Sequence, residues 1–154
     1  KVEWLYQDKQ INQLSKWFYL WVVLGITLPA ILSGLWDMSL GGFIRGFLLG
    51  GIIRLFICQQ GTFLINSACH LIGHQPYDTN DNSRNITLLS LPTLGGSWHN
   101  NHHAFPGSAN NSHHWWQPDP GYWILWLWQH MGWASKLRTI DKKNRQKRLK
   151  DLKT

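Results

Sequence analysis

Three histidines lie within five consecutive residues of this chain, in the segment HNNHH that spans residues 99–103. On a helix, His99, His102 and His103 occupy positions i, i+3 and i+4, so that all three imidazole rings leave one face. Neutral imidazole is the commonest metal ligand in proteins, and three rings on one face are costly to place together without a cation. The segment therefore predicts a metal site.

A fourth histidine, His70, ends the segment NSACH at residues 66–70, directly after a long apolar stretch. Asn66 and His70 are four residues apart, so they share a face of a helix that continues through this segment. His74 has the same spacing from His70. However, Gly73 and Pro76 predict that the helix ends near this point, so His74 is not assigned as a ligand.

Three further histidines are not assigned to the metal site. His113 and His114 lie in an Asn- and Trp-rich segment, and His130 follows a run of tryptophans. None of them has a partner at the spacing that metal ligands require. We expect these three side chains to be surface or interfacial histidines.

The small number of acidic and thiol side chains excludes several classes of metal site. The chain has one glutamate, Glu3, far from the histidines. Ferritin-like di-iron sites and zinc proteases with a His-Glu-x-x-His motif both need glutamate at the metal. The two cysteines, Cys58 and Cys69, form no CxxC pair, which excludes a thiolate zinc site and argues against a disulfide framework. The site is expected to consist of imidazoles, with asparagine as an outer or water-holding partner.

Two apolar stretches precede the histidine segments. Residues 17–36 contain no charge and span about 30 Å as a helix, which is the thickness of a bilayer core. Tryptophans lie near both ends of this stretch, as in transmembrane helices. Residues 43–65 are also apolar but contain Arg45 and Arg54. Arg45 can reach the membrane surface, whereas Arg54 lies near the middle and is expected to face protein or a polar cavity.

The distribution of basic residues predicts the orientation of this hairpin. Lys1, Lys9 and Lys16 precede it, nine of the fifteen Lys and Arg residues follow it between 136 and 153, and the turn at 37–42 has none. By the positive-inside rule, both ends of this segment are cytoplasmic. The basic tail is expected to be a solvated helix or to face anionic lipid headgroups, rather than to bind nucleic acid.

Residues 66–154 are polar and are expected to form a cytosolic cap. Residues 75–83 have the composition of an irregular loop. Residues 121–133 are rich in tryptophan but too short to span a bilayer, which predicts a helix in the membrane interface or packed under the cap. The chain as a whole is predicted to be one partial domain, all-α, with a transmembrane helical hairpin and a helical cap.

Three segments, in order, resemble the C-terminal half of a membrane fatty acid desaturase of the Δ9, stearoyl-CoA desaturase-like group. They are NSACH at 66–70, PYDTNDNSRN at 76–85 and WHNNHHAFP at 98–106. The resemblance runs from about Arg54 to Trp133. It implies half of a four-helix membrane stem, below a cap that holds two irons through nine histidines.

The resemblance also implies roles for individual residues. Four of the nine ligands match His70, His99, His102 and His103. Asn66 matches an asparagine that holds a metal-bound water, while Thr62 and Phe63 match residues along the acyl channel.

The implied reaction removes two hydrogens from a long acyl chain, with two electrons from a donor, and reduces dioxygen to water. A cis double bond at Δ9 is the expected product, and the acyl carrier is CoA, a carrier protein or a lipid. The donor is expected to be a small redox protein such as cytochrome b5 or a ferredoxin, docked on the cap. The alternatives are a histidine-box membrane hydroxylase or ketolase, and a catalytically inert relative.

Two departures from the resembled pattern bear on activity. Gly96 stands where such enzymes usually have a glutamate, so an acid expected beside the metal ligands is absent. The other two histidine boxes of these enzymes do not occur in the chain, and it does not begin with methionine. We therefore expect it to be a fragment that is inactive by itself.

Overall fold

The computed structural model describes residues 7–149 of the 154-residue chain. Lys1, Glu3 and the last residues of the basic tail lie outside the described residues. In chain order the elements are α1 (Lys9–Lys16), α2 (Phe18–Asp37), α3 (Leu40–Arg45), a π-helical segment (Gly46–Ile53), α4 (Arg54–Leu71), a 3₁₀ turn (Thr87–Leu89), α5 (His99–Ala104), α6 (Pro120–His130) and α7 (Lys142–Arg148). Between residues 7 and 149 there is no strand, so the prediction of an all-α chain is confirmed for this part.

The chain forms two compact units, Lys1–Gln59 and Gln60–Thr154. Within residues 7–149, two helices are long and apolar enough to cross a membrane, namely Phe18–Asp37 and the continuous helix Leu40–Leu71. Few of their side chains are buried, which differs from the core helix of a soluble protein. The predicted spans at 17–36 and 43–65 lie within or next to these helices. The second helix extends beyond its predicted end, so Asn66 and His70 are helical residues.

Glycines bring α3 and the π-helical segment close to α2 in the first unit. Gly42, Gly46 and Gly50 follow one another at intervals of four residues. A Cβ atom on Gly46 would lie 2.3 Å from the carbonyl oxygen of Pro29, and one on Gly42 would lie 2.6 Å from that of Ser33. Small residues at such spacing allow membrane helices to approach until their backbones touch.

The guanidinium of Arg54 bonds to the backbone of α2. Pro29, inside α2, has no N–H, so the carbonyl of Gly25, four residues earlier, loses its usual helical donor. Arg54 Nη2 donates to that carbonyl oxygen at 2.7 Å. An arginine in an apolar helix is thus paired with a carbonyl that a proline has freed, which agrees with the expectation that Arg54 faces protein.

The turn between α2 and α3 is closed by local contacts. Met38 takes a left-handed conformation at the end of α2, and its N–H donates to the carbonyl of Gly34. Ser39 then caps α3 by accepting from the N–H of Gly42 at 3.0 Å. Arg45 forms an ion pair with Asp37, at the turn end of its helix rather than in its apolar middle.

The second unit packs its loops around the short helix α5. Tyr77, Ala104 and Phe105 form a buried cluster, with Ile140 packed against it. Trp98, directly before α5, is also buried and donates its indole N–H to the carbonyl of Pro118 at 2.7 Å. The irregular loop predicted at residues 75–83 is confirmed as non-helical.

Helix α6 carries the tryptophans that were predicted to lie in an interfacial helix. Asp119 caps its first turn by accepting from the N–H of Tyr122 at 3.0 Å. Trp123, Trp126 and Trp128 all remain exposed along its 11 residues. This length is too short to span a bilayer, and the interfacial location stays a prediction.

The basic tail contains the short helix α7. Most of its charged side chains are exposed, as expected for a solvated helix. Two of them instead contact the cap: Arg145 donates to the carbonyl of His113, and Arg148 donates to the carbonyl of Ala104. Arg148 also lies over the ring of Phe105. A cation at the C-terminal end of α5 stabilises that helix through its dipole.

Candidate metal centre

Three of the four predicted histidine ligands converge in the second unit. His70, at the end of α4, meets His99 and His103 of α5, and ligand nitrogens of the three rings all lie within 4.8 Å of one another. The Nε2 atoms of His70 and His99 are 3.0 Å apart. Two imidazole nitrogens that bind one ion at right angles, each about 2.1 Å from it, are also about 3.0 Å apart. The three rings therefore fit a single metal ion.

The ring of His99 is placed so that it remains neutral. His99 is only 7% exposed. Burial, together with the charges that three neighbouring histidines would carry, lowers the pKa of His99 to about 4. Because the ring is then unprotonated well below neutral pH, a nitrogen lone pair is available to a metal at pH 7.

His102 lies apart from this cluster. Its ring centre is 6.2 Å from that of His99 and 5.7 Å from that of His103. The residue is exposed, and its ring makes a hydrogen bond with the side chain of Asn111. The predicted ligand role of His102 is therefore not tested by the three-residue cluster and stays a prediction.

The other predicted site residues lie on α4, before His70. Asn66 is exposed one helical turn earlier, and Thr62 and Phe63 lie about two turns earlier. Phe63 is 54% exposed. Their predicted roles, in holding a metal-bound water and in lining an acyl channel, stay predictions.

Helix α5 is capped by a side chain from a separate loop. Trp98, at its N-cap, makes no side-chain capping bond. Instead, Asn85 Oδ1 accepts from the backbone N–H groups of Asn100, at 2.9 Å, and Asn101, at 3.2 Å. These N–H groups belong to the first turn, where a helix has no internal acceptor for them. Asn85 thereby fixes the start of the helix that carries two of the converging rings.

The two asparagines between the histidines of α5 are completely buried. Asn100 Oδ1 accepts from the N–H of Tyr77 at 2.8 Å, and its Nδ2 donates to the carbonyl of the same residue at 3.1 Å. Asn101 Oδ1 accepts from Asn85 Nδ2 at 2.7 Å. A buried network in which each amide has a partner defines one orientation of the helix. The sequence indicated asparagine as an outer partner of the site but not these contacts.

We predict that Asn100→Ala destabilises the second unit. The substitution leaves the buried N–H and C=O of Tyr77 without their side-chain partner, at an expected cost of about 2 to 4 kcal/mol in the free energy of unfolding. Thermal unfolding of the metal-free, detergent-solubilised protein measures this. Asn82→Ala, at an exposed position of the neighbouring loop, is the control and should change the transition little. Equal transitions for the two variants would show that the network does not hold α5.

An acid that the sequence analysis did not single out contacts a converging ring. Asp81 Oδ2 lies 2.6 Å from Nδ1 of His103. Burial raises the pKa of the Asp81 carboxyl, but hydrogen bonds from three neighbouring residues outweigh this and hold that pKa well below its usual range. The carboxyl is therefore ionised at neutral pH. The only indication of this acid in the sequence was its position in the loop between the two histidine segments.

Both glycines before α5 lie in close contact with other side chains. Gly95 has a φ of +87°, and a Cβ atom there would lie 2.2 Å from Oδ1 of Asp119. At Gly96 a Cβ atom would lie 2.6 Å from Cδ1 of Ile65. Gly96 thus lies against a side chain of α4.

His113 differs from the expectation of a surface histidine. Its Nδ1 lies 2.8 Å from the hydroxyl of Tyr77, and its ring packs against Phe105. Burial and the charge of Arg145 lower the pKa of His113 to about 4. The residue is half-buried against the cluster beside α5, where its neighbours in space are aromatic although its neighbours in sequence are mostly polar.

His114 and His130 are exposed, as expected. The ring of His114 stacks on that of Trp116. His130 lies beside Trp126 in α6, with ring centres 3.9 Å apart. Neither ring takes part in the histidine cluster.

Comparison with known proteins identifies relatives along most of the chain. No family model matches it. It is 40% identical over 137 residues to a hex-5-enoyl-[acyl-carrier protein] acetylenase of Moorena producens. This alignment covers 88% of the chain and 43% of the relative. It is 35% identical over 142 residues to Delta-9 desaturase-like 4 protein of Arabidopsis thaliana, covering 92% of the chain and 47% of the relative.

A third relative acts on a different kind of acyl group. The sn-2 palmitoyl-lipid 9-desaturase of Nostoc sp. is 36% identical over 120 residues, covering 78% of the chain and 42% of the relative. The chain thus spans somewhat less than half the length of the curated relatives that it matches.

Proposed function

We propose that this chain, a relative of the Δ9 desaturase-like proteins, is the C-terminal, metal-binding half of a membrane fatty acyl desaturase. The proposed product is a cis double bond, at Δ9, in a long-chain acyl group carried by CoA or by a lipid. The observation that carries this proposal is the convergence of His70, His99 and His103 in a chain whose relatives are desaturases.

Each side chain of the centre has a proposed task. His70, His99 and His103 hold one iron, while His102 and a water on Asn66 contribute to a two-iron centre that histidines from the rest of the protein complete. When bound there, iron would supply, with dioxygen, two electrons and two protons, the oxidant that takes two hydrogens from the acyl chain while dioxygen becomes water. The buried asparagine network of α5 keeps the rings in place during turnover.

The two apolar helices are the proposed membrane anchor. They supply half of a four-helix stem, with both ends of this segment on the cytoplasmic side, as the distribution of basic residues predicts. Thr62 and Phe63 would line the channel in which the acyl chain is held away from water. A substrate this apolar can reach such a channel from the bilayer.

The electron donor and the acyl carrier are supplied by other molecules. The proposed donor is a small redox protein such as cytochrome b5 or a ferredoxin, docked on the cap. The names of the relatives include both a carrier-protein acetylenase and a lipid desaturase, so related proteins use different carriers. By itself the chain is expected to be inactive, because four histidine ligands do not complete two irons.

We predict that the full-length protein that contains this chain binds iron and desaturates saturated acyl chains when it is supplied with reductant and dioxygen. Analysis of the acyl products by mass spectrometry, together with metal analysis, tests this. A hydroxylated product would instead indicate a histidine-box hydroxylase. Protein that binds no iron in reducing, anaerobic buffer would support an inert relative.

A second function has a specific observation in its favour, which is the 40% identity to an acetylenase. An acetylenase removes two hydrogens from an existing double bond rather than from a saturated chain. Supplying a monounsaturated acyl chain in a parallel reaction separates the two. If the protein forms a triple bond in the monounsaturated substrate and leaves the saturated substrate unchanged, it is an acetylenase and not a desaturase.

A further inference from the structure

We propose that Asp81 is a positioning residue that fixes the orientation and tautomer of His103 at the metal centre. The inference deepens the proposed function and rests on it. Asp81 belongs to the loop that follows α4 and lies 22 positions before His103 in the chain. The short contact between Oδ2 and Nδ1, at 2.6 Å, is its first support.

This contact determines which ring nitrogen of His103 is left for a metal. A carboxylate accepts only, so the Nδ1 atom that faces it carries the proton. The lone pair then resides on Nε2, the nitrogen on the far side of the ring from Asp81. Carboxylates paired in this way with metal-binding histidines fix the ring and make it a stronger ligand.

The carboxylate is held in place independently of His103. Its other oxygen, Oδ1, accepts from the hydroxyl of Thr79 at 2.8 Å and from the N–H of Ser83 at 2.9 Å. These two donors occupy one oxygen and direct the other one towards His103. The position of the carboxylate is therefore fixed by contacts that do not involve His103.

The loop that carries Asp81 is tied to the helix that carries His103. Asn100 Nδ2 lies 3.2 Å from the hydroxyl oxygen of Thr79 and 3.3 Å from that of Ser83. Asn100 lies three residues before His103 in α5, so the two share one side of the helix. The loop therefore contacts α5 twice, through Asn100 and through the pairing of Asp81 with His103. These two contacts limit movement of the His103 ring.

The pair contributes little to stability by itself. The side chains of His103 and Asp81 are 30% and 36% exposed. Even between two full charges, a pair this accessible to water contributes at most about 1 kcal/mol to the free energy of unfolding. Residues 95–112, on either side of His103, contain no acidic side chain, so Asp81 supplies a carboxylate from another loop.

The test is iron retention by the full-length protein with Asp81→Ala, and it does not depend on activity. Removing the carboxylate should lower the affinity for iron, measured by competition with a chelator, by about 10- to 100-fold. Asp81→Asn, which keeps an acceptor but loses the charge, should fall between Asp81→Ala and the unchanged protein. Asp78→Ala is the matched control, since Asp78 is an exposed acid in the same loop. The melting temperature of each metal-free variant is measured in parallel.

The outcomes separate this inference from the proposed function. If Asp81→Ala retains iron as well as Asp78→Ala does, the inference is wrong while the proposed function stands. If Asp81→Ala lowers the melting temperature of the metal-free protein and Asp81→Asn restores no iron retention, Asp81 is structural and the inference is also wrong. If the unchanged protein binds no iron, the proposed function itself fails.

Discussion

Substitution of His99 by alanine is expected to remove the iron held by the histidine cluster. His99 is the most buried of the converging rings, with its Nε2 3.0 Å from that of His70 and its ring centre 4.3 Å from that of His103. Losing this ligand should cost more affinity than the roughly 10- to 100-fold that loss of a ligand's hydrogen-bonding partner costs. Iron per chain of the purified full-length protein, measured after dialysis against a chelator, should fall by at least half.

A comparison of three alanine variants makes this result specific. His114→Ala removes an exposed ring that stacks on Trp116, outside the cluster, and should leave the iron content unchanged. His102→Ala tests the remaining predicted ligand, and it should also lose iron if that ring serves the same two-iron centre. Retention of iron by His99→Ala at the level of His114→Ala would contradict the assignment of the cluster.

The metal-free form of His99→Ala is expected to remain folded. The pKa of His99 is lowered to about 4, so the ring is neutral and carries no charge that stabilises its surroundings. The backbone N–H groups of the next two residues, Asn100 and Asn101, are held by Asn85, which the substitution does not touch. A melting temperature close to that of the unchanged metal-free protein would therefore accompany the loss of iron.

Local spacing was sufficient to predict the helix that carries the cluster. The positions of three histidines in the HNNHH segment require a helix for their rings to share a face, and α5 spans His99–Ala104. The apolar lengths of the two long helices were equally local properties. Such features depend on neighbours within about one helical turn, and these are visible in a sequence.

Contacts that join distant segments were not predictable in the same way. The cap of α5 comes from Asn85, 15 residues before Asn100, and nothing near either residue indicates that pairing. His113 was expected to be a surface or interfacial histidine because of its Asn- and Trp-rich segment, yet its ring packs against Tyr77 and Phe105. Tertiary packing decides both, since a side chain's environment depends on what the fold brings to it.

Arg54 is an intermediate case. Its place inside an apolar helix predicted a polar partner, because a lone charge there is costly. Pro29 and the carbonyl that it frees at Gly25 were also readable from the sequence. The sequence did not predict the register between the two helices. The glycines that face α2 set that register. Once the helices meet through these glycines, Arg54 reaches the freed carbonyl.

A single added methyl group at Gly46 is therefore expected to disrupt the packing of the hairpin. Gly46→Ala places a Cβ atom 2.3 Å from the carbonyl oxygen of Pro29, a backbone atom that moves only if α2 moves. Forced overpacking of this kind should cost about 3 kcal/mol or more in the free energy of unfolding. Unfolding of the detergent-solubilised protein, followed by helix content, measures the change.

A matched control, Gly61→Ala, is expected to have the opposite effect on the free energy of unfolding. Gly61 lies in the same continuous helix, and a Cβ atom there would meet nothing within 4 Å. Since alanine favours helix over glycine by about 0.8 to 1 kcal/mol, Gly61→Ala should be neutral or stabilising. If both substitutions stabilised the protein equally, helix propensity alone would govern these positions and the close approach at Gly46 would not exist. Opposite signs would instead show that contact between two backbones, rather than side-chain chemistry, holds the hairpin together.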